Sequence, residues 1–565
     1  MSAARLREAA YHPRVPRADV QTRSPMPATA FTRAVAAALV AVILAACDNP
    51  SPTPSPAATT SSTPGTSAAP SPSVQPSATA VAITEFPLAV VTGLTNLKAV
   101  VSVNELGPLA AAGKLVVPCG VAIEEPAITT AAACVAADQI AATLEARQTA
   151  VAVLPPGLVE PSTKVLPIAG DGPYGLFGPD LFGGPEARAL PYPVTGRATG
   201  DPALDPSWTN PDQSRVWTLT ETGSLCADRL GAYAALKLGK GWDWVFNGGT
   251  ARYDRKPFNN PNPPAGISSQ PIVKPIDTGN DGVTARVVSG ADVTLGNLKC
   301  PVLPNKDWAP SYTGAPSLSV PETVLSRWEK FLGIDAVYLP ADHQSDRGVR
   351  GIRSTLTLLD KHGFPHTGLG MNLDEALEPA YVDVAGHKVA FVSWDNVPGP
   401  AKAAATTPGV AWLTKANVDA AVGRAKAAGA DLVICDPQWW GPDEYRPDLS
   451  TGQTRAVGWM DAAGCNQVLA GGLHVSGAVY LRSTANGVSL VNTGPGNFEY
   501  GQDWSQDTQE GVVIELAFRG TTLVNVRLHP YVMILAARAA LLDPASDGHY
   551  VLQRIWKESE LDYRQ

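Results

Sequence analysis

Hydrophobic positions in this chain come in short apolar runs that break off in polar residues. The clearest example is Ile334-Asp335-Ala336-Val337-Tyr338-Leu339, which gives way at Pro340 to Ala341-Asp342-His343-Gln344-Ser345-Asp346. The apolar part predicts a buried strand. Behind the polar loop, Ile352, Leu356 and Leu359 recur at spacings of four and three, and the pattern closes on Lys361-His362-Gly363. A basic last turn followed by glycine predicts a helix over 349–362. In an α/β protein, loops at the carboxyl ends of parallel strands are where ligands meet the chain, so Asp342 and His343 become candidate site residues.

The same alternation runs along most of the chain. Over 84–195 the pattern predicts strands at 97–103, 115–118, 150–154 and 164–168, a short helical turn at 108–112 opened by Pro108, and a helix over 135–147. Gly, Pro and Asp crowd the stretch that follows, and 196–214 reads as a linker. A second alternation then predicts a strand at 215–221, a helix near 228–238, an irregular insertion at about 247–290 and a strand at 291–295. Beyond the central unit come strands at 388–394 and 430–435, with a helix over 418–428 between them that has Asn417 as N-cap and Gly429 after its end. The strand 467–470 leads into Gly471-Gly472-Leu473-His474, and β-like runs close the chain at 490–492, 511–518 and 523–528. Strands alternating with helices mean α/β architecture, here a small domain at 84–195 and a larger one at 215–555.

The N-terminus is patterned for targeting. Arg33 precedes an apolar run, Ala34 to Ala46, that is too short to span a bilayer but suits a signal segment. It ends Leu44-Ala45-Ala46-Cys47, which resembles a bacterial lipobox, so Cys47 is the expected lipidation site of a segment covering 1–47. Residues 1 to 25 fit no signal architecture, which suggests Met26 as the true start. Residues 48–83 are dominated by Ser, Thr, Pro and Ala and read as a disordered tether. The expected location is the extracytoplasmic face of the cell membrane, held by a lipid anchor.

Composition narrows the partners. The 565 residues carry a formal net charge of −9 and show no basic face, so no nucleic-acid partner is expected. Six cysteines follow Cys47, and an exported chain allows them to pair. Cys119 with Cys134 is the favoured pair because the two are local; Cys435 with Cys465 is disfavoured because one ends a strand and the other begins the next.

The strand-end motifs, in their order, resemble the CapA family of poly-γ-glutamate capsule proteins over about 215–555. Gly223-Ser224 stands at the family's GD, Asn297-Leu298-Lys299 at NLE, and Ala341-Asp342-His343 at NNH, with Asp346 and Gly348 in the downstream places. Trp439-Trp440-Gly441 stands at HWG, Ala470 to His474 at GHHPH, and Gly496-Asn497-Phe498 at GNF. The resemblance implies a calcineurin-like metallophosphatase β-sandwich flanked by helices. It implies a pocket formed by Ser224, Asn297, Lys299, Asp346, Trp439, Trp440 and Asn497, with Asp342, His343 and His474 where catalysis would occur. It also places Cys226 and Cys300 beside the site motifs, at adjacent strand ends that could be bridged.

The ligand chemistry departs from that pattern. Ser224, Lys299, Trp439 and Gly472 stand where the motifs have Asp, Glu, His and His, and an ammonium has no lone pair for a cation. No cofactor is expected; were the family site functional, Asn297, His343 and His474 would hold Mn, Fe or Zn. Lys299 turned inward would put a fixed charge in the metal region, within reach of Asp342; turned outward, it leaves a vestigial pocket. Trp439 and Trp440 either stack on a ligand or fill the vacated volume, and Asp346 caps the helix or fixes the loop.

Three functions remain open. The first is a CapA-like lipoprotein of the cell envelope acting in synthesis, export or anchoring of an anionic polymer, with that polymer or its synthesis machinery as partner. The second is a metal-dependent phosphoesterase or amide-transferring hydrolase with altered ligands. In the third, the 84–195 domain, similar to one lobe of an extracellular substrate-binding protein, is a solute receptor.

Overall fold

In the computed structural model, the described residues are 85–561 apart from 127, 129, 199–212, 260–270, 313–316 and 440–443. The targeting segment, Cys47, the tether, most of the expected linker, Trp440 and Gly441 therefore lie outside the described residues. Among those described, no helix is long and apolar enough to cross a membrane.

Two mixed sheets face each other. In the ten-stranded one, Val216–Cys226, Val293–Leu298, Ala336–Tyr338 and His366–Thr367 lie side by side and parallel, and Asn497–Tyr500 pairs with the other edge of the first. In the six-stranded one, His387–Asp395, Leu432–Gln438, Gln467–Leu469 and Gly487–Asn492 are also parallel. Trp217, Leu219 and Leu295 from the first sheet and Phe391, Ile434 and Leu469 from the second form one buried cluster between them. Outside the larger sheet, Trp328, Ile352 and Leu359 pack on its far face; outside the smaller, Val418, Val422 and Met460 do the same. The result is helix, sheet, sheet, helix, the architecture expected.

The parallel strands of both sheets end at the same place. Asn297 Nδ2, on one, approaches Gln438 Oε1, on the other, at 3.5 Å. Gly471 is required there: a Cβ on it would lie 2.3 Å from both of those atoms.

A third, seven-stranded sheet is built from Glu85–Gly93, Leu115–Pro118, Val121–Ile123, Ala133–Val135, Val151–Leu154, Thr163–Val165 and Val194–Ala198. Its face shares a cluster with Val216, Ala517 and Val524 of the ten-stranded sheet. The ion pairs Arg188–Asp292 and Arg527–Asp180, each 2.9 Å, tie the two together.

Several elements differ from expectation for identifiable reasons. Residues 97–103 form no strand; Val101 makes an isolated bridge to Ile168 and a helix begins at Val103, where Glu105 accepts from the Ser102 N–H at 2.8 Å. That helix, Val103–Ala111, has Pro108 inside it rather than at its start. The helix expected over 135–147 shrinks to Ile140–Ala146, because Ala133–Val135 is recruited as a strand beside Leu115–Pro118. Within the insertion at 247–290, the described residues form the paired strands Thr250–Asn259 and Pro271–Gly279 and the helix Val283–Ser289; Pro271 and Pro275 sit on the edge strand, where a missing N–H costs least. The first strand of the larger part continues past Glu221 to Cys226. Thr414, not Asn417, caps the helix Lys415–Ala427, and the Asn417 side chain donates to Trp412 O.

All three cysteine pairs are bonded, including the disfavoured Cys435–Cys465. Cys435 does not end its strand, which runs on to Gln438. The helix Thr451–Ala463 returns the chain so that Cys465 enters the neighbouring parallel strand with its Cα 6.0 Å from that of Cys435. Peptide mapping without reduction should recover these three pairs and no others. The Cys226–Cys300 bridge closes a separation of 74 residues, so replacing both with alanine should lower stability in urea unfolding by about 4 kcal/mol on the chain-entropy account.

Candidate functional site

Lys299 lies at the centre of the strand-end site. It follows the Val293–Leu298 strand, and its side chain is fully buried. The ammonium Nζ stands 3.7 Å from Asp342 Oδ1, 3.3 Å from His474 Nε2 and 3.4 Å from Gly472 O, and 5.3 Å above the centre of the Tyr500 ring. An unpaired ammonium out of water is costly, and a carboxylate, a carbonyl, an imidazole lone pair and a π-face together replace its hydration. Gly472 has φ +94, and a Cβ there would lie 2.6 Å from Trp439 O, so glycine lets the chain pass and present its carbonyl to Lys299.

Each neighbour is held in turn. His343 faces Asp346 Oδ2 through Nδ1 at 2.8 Å, while its Nε2 stands 3.3 Å from Asp342 Oδ2 and 3.1 Å from the Tyr500 hydroxyl. Asp346 also accepts from the Leu318 N–H at 2.7 Å, so it fixes the loop and does not cap the helix. His474 Nδ1 stands 2.9 Å from Asn497 Oδ1, and its ring stacks on Tyr500. Asn497 Nδ2 donates to His474 O at 3.3 Å.

The charges follow from this packing. Burial works to raise the Asp342 carboxyl, but the surrounding positive charge, that of Lys299 foremost, outweighs it and holds Asp342 below the usual range. Burial and the Lys299 charge push His474 well below the ordinary imidazole value. A neutral His474 with its proton on Nδ1, donated to Asn497, leaves Nε2 free to accept from the ammonium; both contacts fit that tautomer. Burial likewise raises Glu444 and drives Asp395 well above the carboxylate range.

Deeper, between the sheets, lies a second polar group. Glu221 accepts from Asn492 Nδ2 and from the Tyr338 hydroxyl, and burial pushes its carboxyl up to about 8. Asp436 is raised well above its ordinary value by burial and by Glu221.

Of the residues expected in the site, Lys299, Asp342, His343, Asp346, His474 and Asn497 form one contiguous network. Ser224 and Asn297 are paired in register on adjacent strands and fully buried, but among the described residues Ser224 Oγ and Asn297 Oδ1 meet no hydrogen-bonding partner. With no base on its hydroxyl, Ser224 is not an activated nucleophile. Trp439 is wholly buried in the cluster beneath the helices of the six-stranded sheet and presents no surface to a ligand. Sequence reasoning missed Tyr500, Arg229, Glu444, Asp395 and the Glu221–Asp436 pair. Tyr500 had a signal, standing three residues after Asn497 on the same short strand.

These residues do not fit a pair of divalent cations. The Nε2 of His474, which a metal would need, faces a fixed ammonium at 3.3 Å, and both His343 nitrogens face carboxylates. Among the described residues, no cluster of three or more His, Cys, Asp or Glu side chains is arranged to hold a metal.

Residues 278–498 match the family described as "Bacterial capsule synthesis protein PGA_cap". The chain is CapA-like over that stretch. It is 24% identical over 249 residues to the capsule biosynthesis protein CapA of Bacillus anthracis, covering 42% of this chain and 58% of that one. It is 24% identical over 225 residues to the PGA biosynthesis protein CapA of Bacillus subtilis (strain 168), covering 40% and 57%. The chain thus spans less than two thirds of the length of either relative. Among solved structures, it is similar to the calcineurin-like phosphoesterase YfkN from Bacillus subtilis at a TM-score of 0.29 and 14% identity, covering 61% of this chain and 97% of that one.

Two outcomes are expected of the CapA-like site. Lys299→Met strands Asp342 in a water-poor site and should cost about 3 kcal/mol in chemical unfolding at neutral pH, with most of it regained in Lys299→Met/Asp342→Asn. Glu221 binds its proton more tightly folded (about 8) than unfolded (4.5). Stability should therefore fall as pH rises between those values, and Glu221→Gln should flatten that fall in a series of unfolding midpoints.

Proposed function

We propose that this chain is a CapA-like lipoprotein of the extracytoplasmic membrane face. In this reading it acts in synthesis, export or anchoring of an anionic, poly-γ-glutamate-like envelope polymer, and its strand-end pocket binds that polymer without hydrolysing it. The supporting observation is Lys299, a buried ammonium enclosed by Asp342, His474 and Tyr500 where a metal-dependent hydrolase would need open ligands. Anchoring through Cys47 rests on the lipobox-like sequence alone.

Two side chains of the Lys299 network are partly open to solvent, Asp342 at 20% and His343 at 18%. The partly exposed Arg229 guanidinium stands 5.4 Å from the Tyr500 ring centre. A guanidinium beside an aromatic rim is suited to a chain carboxylate, and the imidazole of His343 to the backbone amide between carboxylates. Purified protein should retain poly-γ-glutamate in a sedimentation assay and lose affinity roughly tenfold with Arg229→Glu. It should not turn over bis(p-nitrophenyl) phosphate in the presence of manganese. Turnover abolished by His343→Ala would establish the hydrolase instead.

A further inference from the structure

A cleft of about 370 Å³ opens where the seven-stranded sheet meets the ten-stranded one, and none of its lining residues belongs to a strand-end motif. One wall comes from the loop Leu94–Val100 with Lys164 and Leu166, the other from Arg527, Leu528 and His529 and the helix His549–Glu558. Its lining is mostly apolar, as ligand cavities generally are.

The charges in it do not balance. Asp180 pairs with Arg527 at 2.9 Å, Glu515 with His529 at 2.5 Å and Glu105 with Lys98 at 3.1 Å. Lys164 has no such partner: its ammonium donates to the backbone carbonyl of Asn96, and among the described residues no carboxylate pairs with it. Burial, together with the Arg527 charge, lowers its amine to about 7. Near neutral pH Lys164 is therefore poised between its charged and neutral forms, beside Arg527 in an apolar-walled cleft whose described lining includes one carboxylate, Asp180, already paired with Arg527; an added anion would hold Lys164 in its charged form.

We infer that this cleft binds a small amphipathic anion, with its headgroup between Lys164 and Arg527 and its apolar body against Leu97, Leu528 and Trp556. The walls fix the class of ligand. A bare inorganic anion would leave Leu97, Leu166 and Leu528 wet, and a neutral or cationic amphiphile would leave Lys164 unpaired. The same chemistry suits a fatty carboxylate and an alkyl phosphate headgroup.

Isothermal titration of the whole chain with octanoate, octyl phosphate, octylammonium and inorganic phosphate tests this. Saturable binding of octanoate or octyl phosphate is expected, and the tighter of the two names the headgroup. Lys164→Met should weaken it roughly tenfold or more, as loss of a charged hydrogen bond would, and Lys164→Arg should retain it. Val100 lines the cleft and is 43% exposed, so it tolerates charge without loss of packing. Val100→Glu should weaken binding and Val100→Lys strengthen it. The inference falls if neither amphipathic anion binds, if octylammonium or inorganic phosphate binds as tightly, or if the Val100 pair shows no opposite effects.

Discussion

A single buried ammonium governs the strand-end site. Lys299 cannot be solvated by water where it sits, so every group around it must supply part of that solvation, and each is committed by doing so. Asp342 stays ionised against its own burial, His474 gives up its Nε2 lone pair, and Gly472 turns a carbonyl inward. Asp346 and Asn497 then fix the two histidines by their far nitrogens. Charge, tautomer and backbone conformation are one coupled arrangement, and Lys299 is its origin.

The scaffold makes that arrangement possible. Two parallel sets of strands end together, so four chain segments far apart in sequence converge: Lys299, the Asp342–Asp346 loop, the Gly472–His474 loop and the strand Asn497–Tyr500. Gly471 and Gly472 allow the six-stranded sheet's loop to approach Asn297 and Trp439 within distances a side chain would forbid. The disulfide between Cys226 and Cys300 ties two of those strand ends immediately behind the site. The network is held by the same backbone that forms the core, which is how a polar cluster this dry keeps a defined geometry.

Much of this was legible in the sequence, and the remainder was hidden for physical reasons. Apolar runs ending in polar loops located the parallel strands, and the departures at Ser224, Lys299, Trp439 and Gly472 were visible as residue types. The direction of the Lys299 side chain was not, because a residue just past a strand end has no periodic neighbour to fix its face. Tyr500 was missed because strict alternation would place it opposite Asn497; the register shift between Asn497 and Glu499 brings both onto His474. Glu221 and Asp436 look like ordinary surface carboxylates in sequence, and only the packing of the two sheets buries them. The paired strands Thr250–Asn259 and Pro271–Gly279 were obscured by prolines, of which Pro271 and Pro275 lie on the edge strand that tolerates them.

The central claim is that an amine, not metal, organises the strand-end site. It is tested most directly by anomalous diffraction from crystals of the protein grown and soaked in manganese. The account predicts Lys299 Nζ seated between Asp342 and His474 with no anomalous density there. A pair of anomalous peaks at that position, with Lys299 displaced outward, would contradict it.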